Sequence, residues 1–218
     1  MTFLITLFAI QVFSILLNVT KVISSRMMIS LIRFSYAVFL LFSGFLKLID
    51  PLGFSYKLQE YFEVFGLEWL IPLSLFLALF VVVFELFLGF FLIYGIHVKK
   101  VLWGNLLLML FFTFLTFFSA YFNKVTDCGC FGDFMKLDPW DSFLKDVYLV
   151  FISIILFIKQ KDIKQLGSIH VINRLLIGNL LLVAMVSIYT LLYIPLLDFR
   201  AYKVGTNIVA DRQLPSNA

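Results

Sequence analysis

Residues Trp69 to Ile96 read WLIPLSLFLALFVVVFELFLGFFLIYGI, a run interrupted by one charged side chain, Glu85. A bilayer core of about 30 Å needs about 20 mostly apolar residues in a helix, and this run exceeds that length. Five further apolar runs accompany it: Phe3–Val19, Met27–Ile49, Val101–Phe122, Phe143–Ile158 and Leu175–Leu197. Inside hydrocarbon, backbone donors and acceptors are satisfied only in helices or closed barrels, and none of these runs shows the in/out alternation of barrel strands. The pattern predicts an all-α, polytopic transmembrane helical bundle.

The composition agrees. Of 218 residues, 62% are hydrophobic and only 14% are charged, which excludes a water-soluble globular domain. The 28 Phe residues and a mean hydropathy of +1.05 exclude disorder and collagen-like repeats, because a chain this apolar must bury itself. The formal charge is +4, and no basic block offers a footprint for nucleic acid. The partner implied by composition is the lipid bilayer.

Lys and Arg are retained in short cytoplasmic connections, which sets the expected orientation. One set of loops holds Lys21, Arg26, Arg33, Lys99, Lys100, Lys159, Lys161, Lys164 and Arg174 against a single acid, Asp162. The alternate set spreads Lys47, Lys57, Lys124, Lys136, Lys145, Arg200, Lys203 and Arg212 over longer loops rich in acids. The first set is therefore expected inside, leaving 49–68, 123–142 and the tail after Leu197 outside. In a bacterial cell this is an inner-membrane, multi-pass chain whose outer loops face the periplasm.

The expected organisation has four parts. Residues 1–26 form an N-terminal hydrophobic segment without the positive n-region or small-residue cleavage site of a secretory signal. It reads as an extra transmembrane helix or, because Met27 and Met28 follow, as a start placed too early. Residues 27–158 form the membrane core, 159–197 an inner loop and an additional helix, and 198–218 a short external tail. Within the core, Asp50-Pro51-Leu52-Gly53 predicts a helix break and a turn. The stretch Tyr56, Leu58, Tyr61, Phe62, Phe65 has amphipathic helical spacing and is expected on the outer membrane surface, as a connector capping the bundle or a substrate-docking helix.

The cysteines of the chain are Cys128 and Cys130, in Thr126-Asp127-Cys128-Gly129-Cys130-Phe131-Gly132-Asp133. On the oxidising side of a membrane such a pair can form a disulfide or exchange with a partner's thiols. Closing a ring across one Gly demands unusual backbone angles, and strain makes a disulfide more reducible. Asp127 and Asp133 work against activation, because neighbouring negative charge raises a thiol pKa. A metal centre is disfavoured, since four ligands are wanted and His97 and His170 fall on the expected inner side. The readings at this point are an exchange-active redox pair, a structural disulfide or packed thiols, and an incidental or metal role.

Three intramembrane polar residues complete the candidates: Glu85, Arg33 and Lys47. Glu85 reads as the one carboxylate deep in a span, about 16 Å from Ile96 at the helical rise. Intramembrane acids cost on the order of 2.5 to 3.5 kcal/mol by insertion scales and usually find a partner. Arg33 is expected at a similar depth and is the predicted partner, as an interhelical clamp or a proton relay. Lys47, near the outer end of its helix, is expected to snorkel to headgroups or to face the Cys loop. Ser43, Gly44 and Gly89 are small enough to admit close helix approach.

Phe42-Ser43-Gly44-Phe45-Leu46-Lys47, Asp50-Pro51-Leu52-Gly53, Glu85-Leu86-Phe87-Leu88-Gly89 and Cys128-Gly129-Cys130-Phe131-Gly132 together resemble the DoxX-like membrane proteins, specifically the MauE branch in its Bacteroidetes form. The resemblance covers roughly Arg33 to Ile158. It implies a four-helix core plus flanking helices, and a role in methylamine utilisation, where MauE helps a disulfide-rich periplasmic dehydrogenase subunit mature. Through the DoxX relatives it also implies quinone-related redox chemistry, with a quinone as the candidate cofactor. The chain departs from a DsbB-type relay in having a single cysteine pair. It also departs in the added helix Leu175–Leu197 and in a tail of about twenty residues where similar proteins continue into an external domain.

The leading expectation is an inner-membrane protein whose Cys128–Cys130 loop meets a periplasmic thioredoxin-like or disulfide-containing protein and supports its thiol/disulfide or electron-transfer maturation. The alternative is a non-catalytic scaffold or assembly factor. A third, small-molecule transport, lacks paired broken helices and an inverted repeat.

Overall fold

The computed structural model describes residues 2–122, 124–125 and 137–193. Among these it contains seven α-helices and no strand: α1 (Thr2–Val19), α2 (Ser25–Ile49), α3 (Pro51–Val64), α4 (Ser74–Tyr94), α5 (Val98–Phe122), α6 (Pro139–Ile158) and α7 (Ile169–Leu192). The all-α reading of the sequence holds. Four of them are long and apolar enough to cross a membrane: α2, α4 with its 3-10 lead-in Glu68–Leu73, α5 and α7. Of the other two expected spans, α1 is shorter, and α6 carries Asp141, Lys145 and Asp146 in its first half.

Helix boundaries follow local chemistry. Ser24 caps α2 by accepting from the Met27 backbone N–H at 3.3 Å. Asp50 ends α2 and caps α3, accepting from the Gly53 N–H at 3.0 Å, and Pro51 opens α3 where its missing donor is harmless. Gly95 ends α4 in the left-handed region, φ +67°, with its N–H on Phe91 O at 2.9 Å.

Two antiparallel pairs build the core, α2 with α4 and α5 with α6. Small residues set the first spacing. A methyl group at Gly44 would lie 2.9 Å from Leu86, and one at Gly89 would lie 2.8 Å from Leu41. These contacts fix the register: Gly44 is level with Leu86, and Ala37 and Leu41 with Gly89. On the second pair, Trp103 meets Phe157 edge-on at 5.1 Å and Phe117 meets Phe143 at 5.4 Å. α1 runs along α2, with Phe3 4.6 Å from Phe42 and Phe8 6.1 Å from Phe39.

α3 closes one end of the bundle. Its buried side chains are Pro51, Phe54, Ser55, Leu58 and Tyr61, one helical face, whereas Tyr56 is 58% exposed, so the apolar stripe begins earlier than the sequence spacing predicts. Tyr61 donates to Leu115 O at 3.4 Å, Gln59 to Ser74 Oγ at 2.7 Å, and Phe65 stacks on Phe114. The opposite end is formed by the α4–α5 turn, the start of α2 and the α6–α7 connection, where Leu166 N–H bonds Tyr94 O at 2.9 Å. α7 is held sparsely, by Asn179 on the Tyr94 hydroxyl at 2.9 Å and Thr190 on Leu48 O at 3.2 Å.

The outer surface is apolar over large areas. Phe76, Phe151, Leu181 and Met185 are each more than half exposed. Soluble monomers do not carry contiguous apolar patches of this extent, whereas lipid tails solvate them. With Arg33, Lys47, Glu85, Asn105, Lys145 and Asp146 buried inside, the inside-out distribution marks a bundle embedded in a lipid bilayer.

Candidate functional site

Cys128 and Cys130 lie outside the described residues. Their nearest described flanks are Val125 and Leu137. Val125 is buried with Tyr61 and Leu115, its carbonyl accepting from Ser119 Oγ, and Leu137 packs against the main core next to the start of α6. Both flanks therefore belong to the α3 end of the bundle.

Below that end the interior is charged. Lys47 Nζ is 2.8 Å from Glu85 Oε2, and each side chain is 1% exposed. Lys47 also donates to Ser43 Oγ, one turn back on α2, at 2.7 Å. The rings of Phe54 and Phe112 stand 5.8 and 5.4 Å from the ammonium. An ammonium desolvated in this way gains from the negative ring faces as well as from the carboxylate. Glu85 Oε2 has no well-aligned hydrogen-bond donor among the described residues, so Coulomb attraction dominates that contact.

The pairing differs from the sequence expectation. Arg33 does not reach Glu85; its Nη1 donates to Lys164 O at 2.7 Å, and its guanidinium lies 4.7 Å from the Phe34 ring centroid. The cause is helix register. α2 extends beyond the end of α4, so Arg33 is level with Gly95, where a methyl group would meet Arg33 Nη1 at 2.8 Å. Glu85 lies ten residues deeper, about 15 Å at the helical rise. Lys47 in turn does not snorkel to the surface, because a helical side chain leans toward its own N-terminus and α3 covers the route outward.

A second ion pair, missed in the sequence, joins Lys145 to the neighbouring Asp146 on α6. Asp146 Oδ2 accepts from Thr116 Oγ1 on α5 at 3.0 Å, and the Phe39 ring on α2 lies 5.8 Å from Lys145 Nζ. Asp146 is thus a second buried carboxylate beside Glu85: α6 begins at Pro139, not Phe143, which places it two turns into the helix. Further toward the opposite end, Asn105 on α5 donates to the Tyr36 hydroxyl at 3.0 Å and to Ser153 Oγ at 2.7 Å. The available signal was the set of isolated polar residues in apolar runs, Asn105 and Ser153 above all.

These groups form a polar column through the bundle, from Tyr36–Asn105–Ser153 to the two ion pairs under the α3 end. The column joins α2, α4, α5 and α6, the helices the sequence assigns to the core. Its members are mutually compensated, as buried charges must be in a medium of low dielectric. On the lipid-facing side, a groove of about 460 Å³ runs between α4 and α5, with His97 and Lys100 at one end.

A helical bundle with an apolar exterior and a compensated charged interior is a multi-pass integral membrane protein. Residues 25–159, spanning α2 to α6 and both cysteines, match the family model described as methylamine utilisation protein MauE. The chain belongs to that family and is a membrane protein of the methylamine-utilisation accessory type. No curated protein and no solved structure matches it.

Proposed function

We propose that the protein sits in the bacterial inner membrane with its α3 end toward the periplasm and that Cys128 and Cys130 exchange disulfides with a periplasmic partner during that partner's maturation. The observation that carries this reading is the family match, whose span includes the Cys-Gly-Cys segment together with the helices bearing the buried ion pairs. The flanks of the segment, packed at the α3 end, agree with it. We further assign residues 27–158 as the functional core, and the helix after it and the N-terminal segment as flanking elements.

In the exchange, one cysteine thiolate attacks a sulfur of a partner disulfide. A mixed disulfide forms, and the displaced partner sulfur leaves as a thiolate that takes a proton from water. A second partner thiolate then displaces the cysteine, so the partner's bridge has moved and no net electron is consumed. The exchange needs no quinone. The groove with a polar end has that end at His97 and Lys100, the start of α5, about 36 Å at the helical rise from Phe122 at the other end of that helix.

The test is trapping. A Cys128→Ser or Cys130→Ser chain, expressed in its native host, is expected to accumulate a mixed disulfide with a periplasmic protein, visible as a reducible band. A chain that forms no adduct and supports full function in both variants acts as a scaffold instead.

A further inference from the structure

The groove between α4 and α5 has features that neither the polar column nor the Cys segment uses. Its wall is a stripe of aromatic rings, Phe80, Phe84, Phe87 and Phe91, spaced so that all fall on one face of α4. Phe80 and Phe84 stack at 6.1 Å with 5° between their planes, leaving a smooth face. The floor is formed at Gly104 of α5, where the missing side chain lets the rings come close: a methyl group would lie 3.1 Å from Phe84 and 3.2 Å from Leu88. The stripe spans about 16 Å at the helical rise, close to half of a 30 Å hydrocarbon core, the depth of one leaflet.

The ends of the groove differ. Toward Phe80 it is wholly apolar. At the other end stand His97, exposed in the α4–α5 turn with φ +48°, and exposed Lys100 in the first turn of α5, which holds no acidic residue. That turn is also the N-terminus of a 25-residue helix, whose unpaired N–H groups favour an anion. An apolar slot one leaflet deep that ends in an ammonium, an imidazole and a helix N-terminus complements an amphiphile with one negative charge at its head.

We propose that this groove binds an anionic glycerophospholipid, with an acyl chain along the phenylalanine stripe and its phosphate at Lys100 and His97. The charge selects the occupant: a neutral isoprenoid lipid fills the slot equally well but leaves the cationic end unused. Basic pockets at helix ends are the usual recognition device for such headgroups.

Native mass spectrometry of the purified full-length chain, after delipidation and re-addition of phosphatidylglycerol or phosphatidylcholine, tests this. The expected result is one phosphatidylglycerol retained at least fivefold better than phosphatidylcholine. Lys100→Gln, a surface change that leaves the fold intact, should bring that preference close to parity, and Gly104→Leu should lower retention of both lipids by filling the floor. Equal retention of the two lipids by the unaltered chain, meaning annular lipid only, overturns the proposal. So does an undiminished preference in Lys100→Gln, or a neutral isoprenoid lipid displaced by Gly104→Leu and indifferent to Lys100→Gln.

Discussion

Lys47 on α2 and Glu85 on α4 neutralise each other at 2.8 Å in a place where neither reaches solvent. Removing one partner strands the other charge, whereas removing both leaves an apolar contact. Lys47→Met or Glu85→Gln alone is therefore expected to cost about 3 to 5 kcal/mol, and Lys47→Met combined with Glu85→Leu much less. Thermal unfolding in detergent measures this. Additive losses in the double variant would show that the two charges do not stabilise one another.

Arg33 belongs to a different contact and is expected to be independent of Glu85. Losses from Arg33→Gln and Glu85→Gln should add within about 0.5 kcal/mol, as for residues without shared partners. Arg33→Gln should also loosen the α6–α7 connection that its guanidinium ties down through Lys164 O, and limited trypsin digestion should cut faster after Lys161 and Lys164.

Asn105 links three helices through Tyr36 and Ser153. Asn105→Leu removes both bonds and leaves the Tyr36 hydroxyl and Ser153 Oγ buried with one partner fewer, a loss of about 1 to 3 kcal/mol. Asn105→Ala/Ser153→Ala together should cost less than the sum of the two single changes, read by the same thermal unfolding.

Gly89 admits α2 so closely that a methyl group would meet Leu41 at 2.8 Å and Ala37 O at 3.4 Å. Gly89→Ala should destabilise by about 1 to 3 kcal/mol through forced separation of α2 and α4. Gly178, with open space around it, should accept Ala without loss; yield and unfolding temperature of the two variants make the comparison.

The fold was legible because hydrocarbon leaves so few solutions. Each of the six apolar runs overlaps a helix of its own, and Asp50-Pro51 marks the α2–α3 boundary. What sequence could not supply was relative height. Depth counted from each helix end placed Arg33 near Glu85, but helix ends need not be level, and the contacts of Gly44 and Gly89 shift α2 past α4 until Lys47 becomes the partner. Asp146 was misread in a similar way: counted from Phe143 it stands at the edge of its apolar run, whereas Pro139 starts α6 one turn earlier and Thr116 of α5 holds the carboxylate in the interior. The amphipathic face of α3 moved from Tyr56 to Phe54 because packing on α4 and α5 selects the stripe, not the count of aromatic residues.

The side of the membrane that Cys128 and Cys130 face decides whether they can meet a periplasmic partner at all. A membrane-impermeant maleimide, applied to mildly reduced intact spheroplasts and again after detergent permeabilisation, reports it directly. Labelling of the native chain at full yield in intact spheroplasts, with none in a chain lacking both cysteines, is the predicted result. Labelling that appears only after the membrane is opened would place both thiols in the cytoplasm and contradict the proposed exchange.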